Sequence, residues 1–184
     1  MRWICIRRAT AAAMVLGLGL LMTGCPTNPP ETVPSVDLER YAGKWYEIAK
    51  YPVFFENGLA GVTAEYMLMN DGTVQVINRG FQGSLDGNAT SIQGTATISD
   101  ATTNAKLKVR FDTFPANLFP ADYWIIALDS DYQHAVVSNS FRNVLWILNR
   151  TPQMDAGTYS DILSNLSDDG FDVTKLELTP QPAI

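Results

Sequence analysis

The sequence predicts an all-β domain of eight antiparallel strands, followed by one α-helix and a short final strand. Three observations predict it. From Gly43 onward, short segments alternate apolar and polar residues with period two and are rich in β-branched and aromatic side chains. Clusters of Gly, Asn, Asp and Pro separate those segments. Beyond Arg150 the apolar spacing changes to that of a helix.

The strands are expected at 43–51, 61–69, 73–81, 91–99, 105–112, 122–130, 133–139 and 144–150. Asn70-Asp71-Gly72, Gly87-Asn88, Asp100 to Asn104 and Asp129-Ser130-Asp131 are the turn signals between them, so most neighbours should pair as hairpins. Tyr159, Ile162, Leu163 and Leu166 recur at helical spacing between Asp155 and Asp169, and Gly170 is a natural stop. Phe171 to Leu178 reads as the last strand, ended by Pro180. Eight such strands can form a sandwich or close into an up-and-down barrel, and periodicity alone does not choose between them.

Before the strands lies a different kind of text. Arg2, Arg7 and Arg8 precede an apolar run from Ala11 to Met22, far short of the roughly 20 residues that span a membrane. Charged start, short apolar stretch and the small residues Thr23 and Gly24 make residues 1–24 an export signal that is cut away. Met22-Thr23-Gly24-Cys25 resembles a bacterial lipobox, which implies that the Cys25 thiol is joined to diacylglycerol and becomes the first mature residue. Leucine is usual where Met22 stands, and plain signal cleavage is the alternative. Residues 26–36 carry four prolines and little apolar surface, so 25–36 is expected to be a semi-extended tether.

Of the 184 residues, 46% are hydrophobic and 17% charged, which suits one globular domain with a real core. Removing residues 1–24 leaves 160 and, with three arginines gone, takes the formal charge from −6 to −9. So acidic a chain disfavours nucleic acid and anionic lipid surfaces as partners. Cys5 leaves with the signal and Cys25 takes the lipid, so the exported domain is expected to hold together by packing without a disulfide.

Local motifs resolve the fold. Gly43-Lys44-Trp45-Tyr46-Glu47 opens the first strand, Asp131-Tyr132 lies between the sixth and seventh, and Arg150 ends the eighth. In that order they resemble the G-x-W, T-D-Y and arginine motifs of the lipocalins, with Ser130 in place of the usual threonine. Phe55-Glu56-Asn57-Gly58-Leu59, Val76-Ile77-Asn78-Arg79-Gly80 and Gly170-Phe171-Asp172-Val173 resemble the bacterial outer-membrane lipoprotein branch, and the similarity spans roughly Val36 to Leu178. The resemblance implies an eight-stranded up-and-down lipocalin barrel over 37–180, with Arg150 stacked on Trp45 at one end as a structural pair. It also implies lipid binding, membrane maintenance under stress, and homodimers among the assemblies to expect, while Cys25 followed by Pro26, not by the aspartate that retains lipoproteins at the inner membrane, gives an expected place in the outer membrane facing the periplasm.

If Trp45 points inward, strand period sends Glu47, Ala49 and Tyr51 inward too, and Arg150 similarly carries Leu148 and Trp146. Matching the lipocalin pattern adds Val62, Ala64, Tyr66, Val76, Asn78, Val109, Phe111, Tyr123, Ile125 and Val137 to the expected ligand-binding wall. Many interior positions are small, so an under-filled barrel with a pocket of about 300 to 1,000 Å³ is expected. Glu47 stands out because an interior carboxylate must be paired, hydrogen-bonded, hydrated or protonated, and Tyr66, Asn78 and Tyr123 are its expected partners. The segments 51–55 and 114–120 are unusually apolar for loops and could be a ligand portal, a membrane rim or a dimer contact.

Three functions compete. A carrier would take fatty acids or lysophospholipids: about 14 methylenes at roughly 0.8 kcal/mol each give about 11 kcal/mol, against an association cost of about 4 to 15 kcal/mol. An enzyme would have to work with one histidine, His134, expected to face outward, and with no His-metal cluster, no cavity thiol and no G-x-S-x-G elbow. We therefore expect no catalysis, no cofactor and no metal. An anchored structural or protein-interaction module without bound lipid is the remaining alternative.

Overall fold

A computed structural model describes residues 28–183. The expected signal segment 1–24, the lipidation site Cys25 and the first tether residues up to 27 lie outside the described residues. Asp37 opens the domain by accepting hydrogen bonds from the backbone N–H groups of Glu39 and Arg40, which caps the single-turn helix α1, Leu38–Tyr41. The strands follow: β1 Gly43–Lys50, β2 Leu59–Leu68, β3 Val74–Gln82, β4 Ala89–Ile98, β5 Lys106–Phe111, β6 Ala121–Leu128, β7 His134–Ser138 and β8 Leu145–Asn149. Each pairs antiparallel with the next, and β8 returns to β1 while β1 also pairs with β2, so the sheet closes into a barrel. Closure leaves no pairing edge along the barrel wall.

Because every connection joins antiparallel neighbours, the loops 51–58, 83–88, 112–120 and 139–144 gather at one end of the barrel. We call this end the mouth. Loops 69–73, 99–105 and 129–133 gather at the other, which α1 covers with the buried ring of Tyr41. There the Arg150 guanidinium lies 3.8 Å above the Trp45 ring and donates to the carbonyls of Tyr132, Lys44, Arg40 and Tyr41. Five donors on a planar fork let one side chain tie three chain segments while its face covers the indole. Gly43, at φ +92°, holds a conformation that L side chains rarely adopt, and an added Cβ would lie 3.5 Å from the Arg150 guanidinium. In the turn that carries Asp131 and Tyr132, the carboxylate of Asp129 accepts from the N–H groups of Asp131 and Gln133, while Asp131 is exposed.

A second apolar layer lies outside the barrel. Helix α2, Ala156–Asp168, is capped by Asp155 and buries Ile162 and Leu166 against Ile48, Ala49, Tyr51, Val136, Leu145 and Ile147. Each such buried side chain is worth about 1.5 to 3 kcal/mol. Ala49 and Tyr51 therefore face the helix, and their expected place on the ligand wall is corrected. The cause is a bulge in β1: Glu47 pairs with Leu148, but the next paired residue is Ala49, opposite Ile147. One extra residue reverses the alternation, so Lys50 pairs with the interior Trp146 and is itself buried.

The last expected strand is also shorter. Phe171 is buried in the layer beneath α2, Asp172 caps a 3-10 turn over Val173–Lys175, and only β9, Glu177–Leu178, is strand. Its placement closes the upper barrel. Pairing of β1 with β2 runs from Gly43↔Tyr66 only to Tyr46↔Thr63, and the C-terminal segment continues in the gap above. Thr179 N–H donates to Ile48, Gly61 N–H donates to Pro180, and the Gln181 amide donates to the carbonyls of both Glu47 and Val62 at 2.8 Å.

At the other terminus, the expected tether is bonded down from Asn28 onward. Arg142 Nε donates to the Asn28 carbonyl at 2.9 Å, Val33 N–H to Ile125, Val36 N–H to Thr103, and Asp37 N–H to the Tyr132 hydroxyl. Pro30 and Val36 are buried. The physical reason is that β5 begins only at Lys106, so its ladder with β6 stops at Trp124 and leaves the Ile125 carbonyl for the incoming chain.

Candidate functional site

The interior is filled at the closed end and open toward the mouth. Trp45, Tyr41, Val74, Ala96, Leu107, Ile125, Ala135 and Val137 pack into one cluster around the barrel axis. Above it lies a cavity of about 100 Å³ lined by Glu47, Val62, Ala64, Tyr66, Val76, Asn78, Val109, Phe111, Tyr123, Trp146 and Leu148, together with Phe55, Glu56, Thr63, Ala121 and Asp122. The first eleven are residues singled out from sequence. Ile125 and Val137 face the interior but sit in the packed cluster, fully buried, and do not reach the cavity. The volume is smaller than expected because aromatic rings take the space that the alanines leave: Tyr41, Tyr66 and Tyr123 lie with ring centroids 5.5 to 5.7 Å apart across the axis.

Those tyrosines form the cavity floor. The Tyr123 hydroxyl donates to Tyr66 at 2.8 Å and shares a hydrogen bond with Tyr41 at 2.7 Å. Burial pushes all three phenols up, so they stay protonated and bind one another. The expected pairing of Glu47 with Tyr66, Asn78 or Tyr123 is thereby corrected: Tyr66 and Tyr123 hydrogen-bond within the floor, and the buried Asn78 carbonyl oxygen has no partner among the described residues.

Glu47 finds its partners on the segments that enter near the mouth. Thr179, brought in by the C-terminal segment, donates its hydroxyl to one carboxyl oxygen. On the other side stands Glu56, at the end of a 3-10 turn over Phe54–Glu56 that dips into the mouth, its carboxylate accepting from Trp146 Nε1 at 3.1 Å. Burial pushes the Glu47 carboxyl up to about 8, helped by the Glu56 charge and opposed by the Thr179 hydroxyl and Lys50. Glu56 is raised too, again through burial, with Trp146 and Lys50 pulling the other way. At neutral pH Glu47 therefore keeps its proton and shares it with Glu56, while the Lys50 ammonium sits 3.3 Å from Glu177. An apolar shaft with one polar group of neutral and charged acids near its rim can accept a long apolar molecule and orient its polar end.

Sequence reading did not place Glu56 in the site because it sits in a loop, where period gives no direction; its signals are a lone carboxylate directly after Phe54-Phe55 and its place in the stretch Phe55 to Leu59 that resembles the lipoprotein branch. Thr179 carries no signal at all, since it reaches Glu47 only through the inserted C-terminus. His134 lies on the outer face of β7, and burial pulls its imidazole down from its ordinary value. Among the described residues no group of three His, Cys, Asp or Glu could hold a metal ion.

Comparison with known proteins agrees with this geometry. A model of the lipocalin-like domain matches residues 36–181. The chain is 40% identical over 157 residues to temperature-induced lipocalin-1 of Arabidopsis thaliana, covering 82% of each chain. It is 38% identical over 177 residues to outer membrane lipoprotein Blc of Escherichia coli, covering 96% of both, and 34% identical over 163 residues to mouse apolipoprotein D, covering 85% of this chain and 82% of that one. Among solved structures, insecticyanin from the tobacco hornworm superposes with a TM-score of 0.65 at 21% identity, over 86% of this chain and 87% of its own. Lipocalins bind small hydrophobic ligands. With its barrel, its Trp45 and Arg150 closure and these relatives, the chain belongs to the lipocalin family.

Proposed function

We propose that the protein carries or stores single-chain lipids, fatty acids or lysophospholipids, in the barrel cavity and serves the upkeep of a bacterial envelope. It works without a cofactor and without catalysis. The observation that carries the reading is the shaft between the tyrosine floor and the Glu47 and Glu56 rim, walled by Val62, Ala64, Val76, Val109, Phe111 and Leu148. Such a wall rewards each methylene with about 0.8 kcal/mol, and the rim gives a headgroup hydrogen-bonding partners. Likeness to the outer membrane lipoproteins, together with Met22-Thr23-Gly24-Cys25, supports an outer-membrane place with a lipid on Cys25.

Native mass spectra of the detergent-free protein, recorded while fatty acids and lysophospholipids of graded chain length are added, test the reading. A one-to-one adduct that strengthens with chain length and disappears in Leu148→Trp and Ala64→Trp is expected. Binding indifferent to both substitutions, or none, would leave the anchored protein-interaction module as the better account.

A further inference from the structure

The exposed apolar side chains are not spread evenly over the barrel. Nine large hydrophobic residues are exposed among the described ones, and Phe54, Phe55, Phe114, Leu118, Phe119 and Phe141 all belong to mouth loops. Phe54 is 92% exposed, Phe141 80% and Phe119 78%, close to what a free side chain would show. Only Leu68 and Met69 project at the closed end, where Asp71, Asp100, Asp129 and Asp131 stand in the loops. The exposed apolar side chains therefore gather at one end of the molecule, where only Asp86 and Asp112 stand exposed as acids in the loops, and the opposite end presents mainly charged and polar loops.

The described chain begins at that same apolar end. Arg142, one residue after Phe141 in a mouth loop, donates to the Asn28 carbonyl through Nε and to the Asp169 carbonyl through Nη1, which clamps the N-terminal segment beside the mouth. From there residues 28–36 run down the barrel to Val36 and the closed end. Three peptide units separate Asn28 from Cys25, a reach of at most about 11 Å. The strands of eight to ten residues, tilted to the barrel axis, put the two ends of the barrel roughly 20 to 25 Å apart. A lipid on Cys25 can thus reach the plane of the mouth loops, and the fastened segment cannot let the closed end turn toward the same surface.

We propose that the mouth is a membrane-docking face: Phe54, Phe114, Phe119 and Phe141 enter the interfacial layer of the bilayer that holds Cys25, so the cavity opens directly onto the lipid it samples. The proposal rests on lipidation of Cys25, which belongs to the proposed function. Rings of this kind lie about 5 to 10 Å into a bilayer surface, and the charged and polar closed end faces water, where its charges cost least. Lipid would then pass between bilayer and cavity without crossing solvent.

Full-length chain expressed in a bacterium, purified from membranes and reconstituted into phosphatidylcholine vesicles tests it. Cys5 leaves with the signal and the Cys25 thiol is alkylated, so Phe54→Cys, Phe119→Cys and, at the closed end, Asp71→Cys each offer one site for a polarity-sensitive fluorophore. The expected result is a blue shift at positions 54 and 119, with loss of intensity when the vesicles carry nitroxide-labelled acyl chains, and neither effect at 71. Equal, water-like spectra at all three positions would overturn the proposal. So would shifted spectra at 54 and 119 that nitroxide lipid does not quench while cross-linking yields a dimer, since the mouth would then pair with a second copy. The intact mass of the purified protein reads the Cys25 modification separately: its absence would sink the anchor alone, and the labels, placed in a Cys25→Ser background and read with the protein added to vesicles, would still decide the mouth.

Discussion

Replacing Glu47 with glutamine removes a group whose acid form the folded protein favours. Burial beside Glu56 pushes its carboxyl from an ordinary value of 4.5 up to about 8. In the unfolded chain the same carboxyl ionises near its ordinary value. Between these two pH values the unfolded chain has released a proton that the native protein keeps, so stability falls as pH rises from about 4.5 to about 8 and is level above that. At 1.36 kcal/mol for each pH unit, the gap sets a ceiling of roughly 5 kcal/mol. Glu56 draws on the same proton, so about half of that, roughly 2 to 3 kcal/mol, is the expected contribution of Glu47 itself. For a domain of this size the loss corresponds to about 5 to 10 °C in Tm. Urea unfolding followed by tryptophan fluorescence at pH 5, 6, 7 and 8 measures it, on the natural chain and on Glu47→Gln. His134, whose imidazole burial pulls down, gives the opposite slope in the lower part of this range, but it is common to both proteins and cancels in their difference. The substituted protein should gain on the natural one as pH rises. Parallel stability curves would refute the claim that Glu47 is buried in its acid form.

Other substitutions read other parts of the structure. Arg150→Ala removes the guanidinium from the Trp45 ring and takes its donors away from the carbonyls of Lys44, Arg40 and Tyr132, while Tyr41 keeps only the Trp45 indole N–H; about 2 to 4 kcal/mol of stability should go, seen as a lower urea midpoint. Tyr123→Phe deletes the middle hydroxyl of the cavity floor and strands those of Tyr41 and Tyr66, for an expected loss of about 1 to 3 kcal/mol in the same assay. Thr179→Val withdraws the hydroxyl that Glu47 accepts, which should move the pH dependence upward and cost about 1 kcal/mol at pH 8, where the carboxylate form needs that donor most.

Much of the fold was legible because a closed barrel keeps local rules. Alternation placed all eight strands, since in a hairpin-connected sheet each turn resets the register close by; the inward direction of Val62, Ala64 and Tyr66 came from the resemblance to the lipocalin pattern, and that of Leu148 from parity with Arg150. Trp45 and Arg150, far apart in sequence, could be paired through the motifs that resemble the family. What escaped notice involves a single residue or a distant segment. The bulge between Glu47 and Ala49 leaves no compositional mark, yet it turned Ala49 and Tyr51 outward and Lys50 inward. The docking of residues 28–36 on β6 and the insertion of the C-terminal segment between β1 and β2 depend on backbone groups that neighbouring strands leave unpaired, which no side-chain pattern records. For the same reason Glu56 and Thr179, the two partners of Glu47, could not be read from period.

The central claim, that an acyl chain lies inside the barrel, is tested most directly by a lysophospholipid brominated midway along its chain. Trp146 lines the cavity, whereas Trp45 is sealed beneath Arg150 and Trp124 lies on the outer face under Lys106. Bromine quenches an indole only at close contact, so the natural protein should lose the Trp146 part of its emission and saturate at one equivalent. Trp146→Phe, compared in parallel, should show no quenching. Unchanged emission in the natural protein, or equal quenching in Trp146→Phe, would contradict a chain held in this cavity.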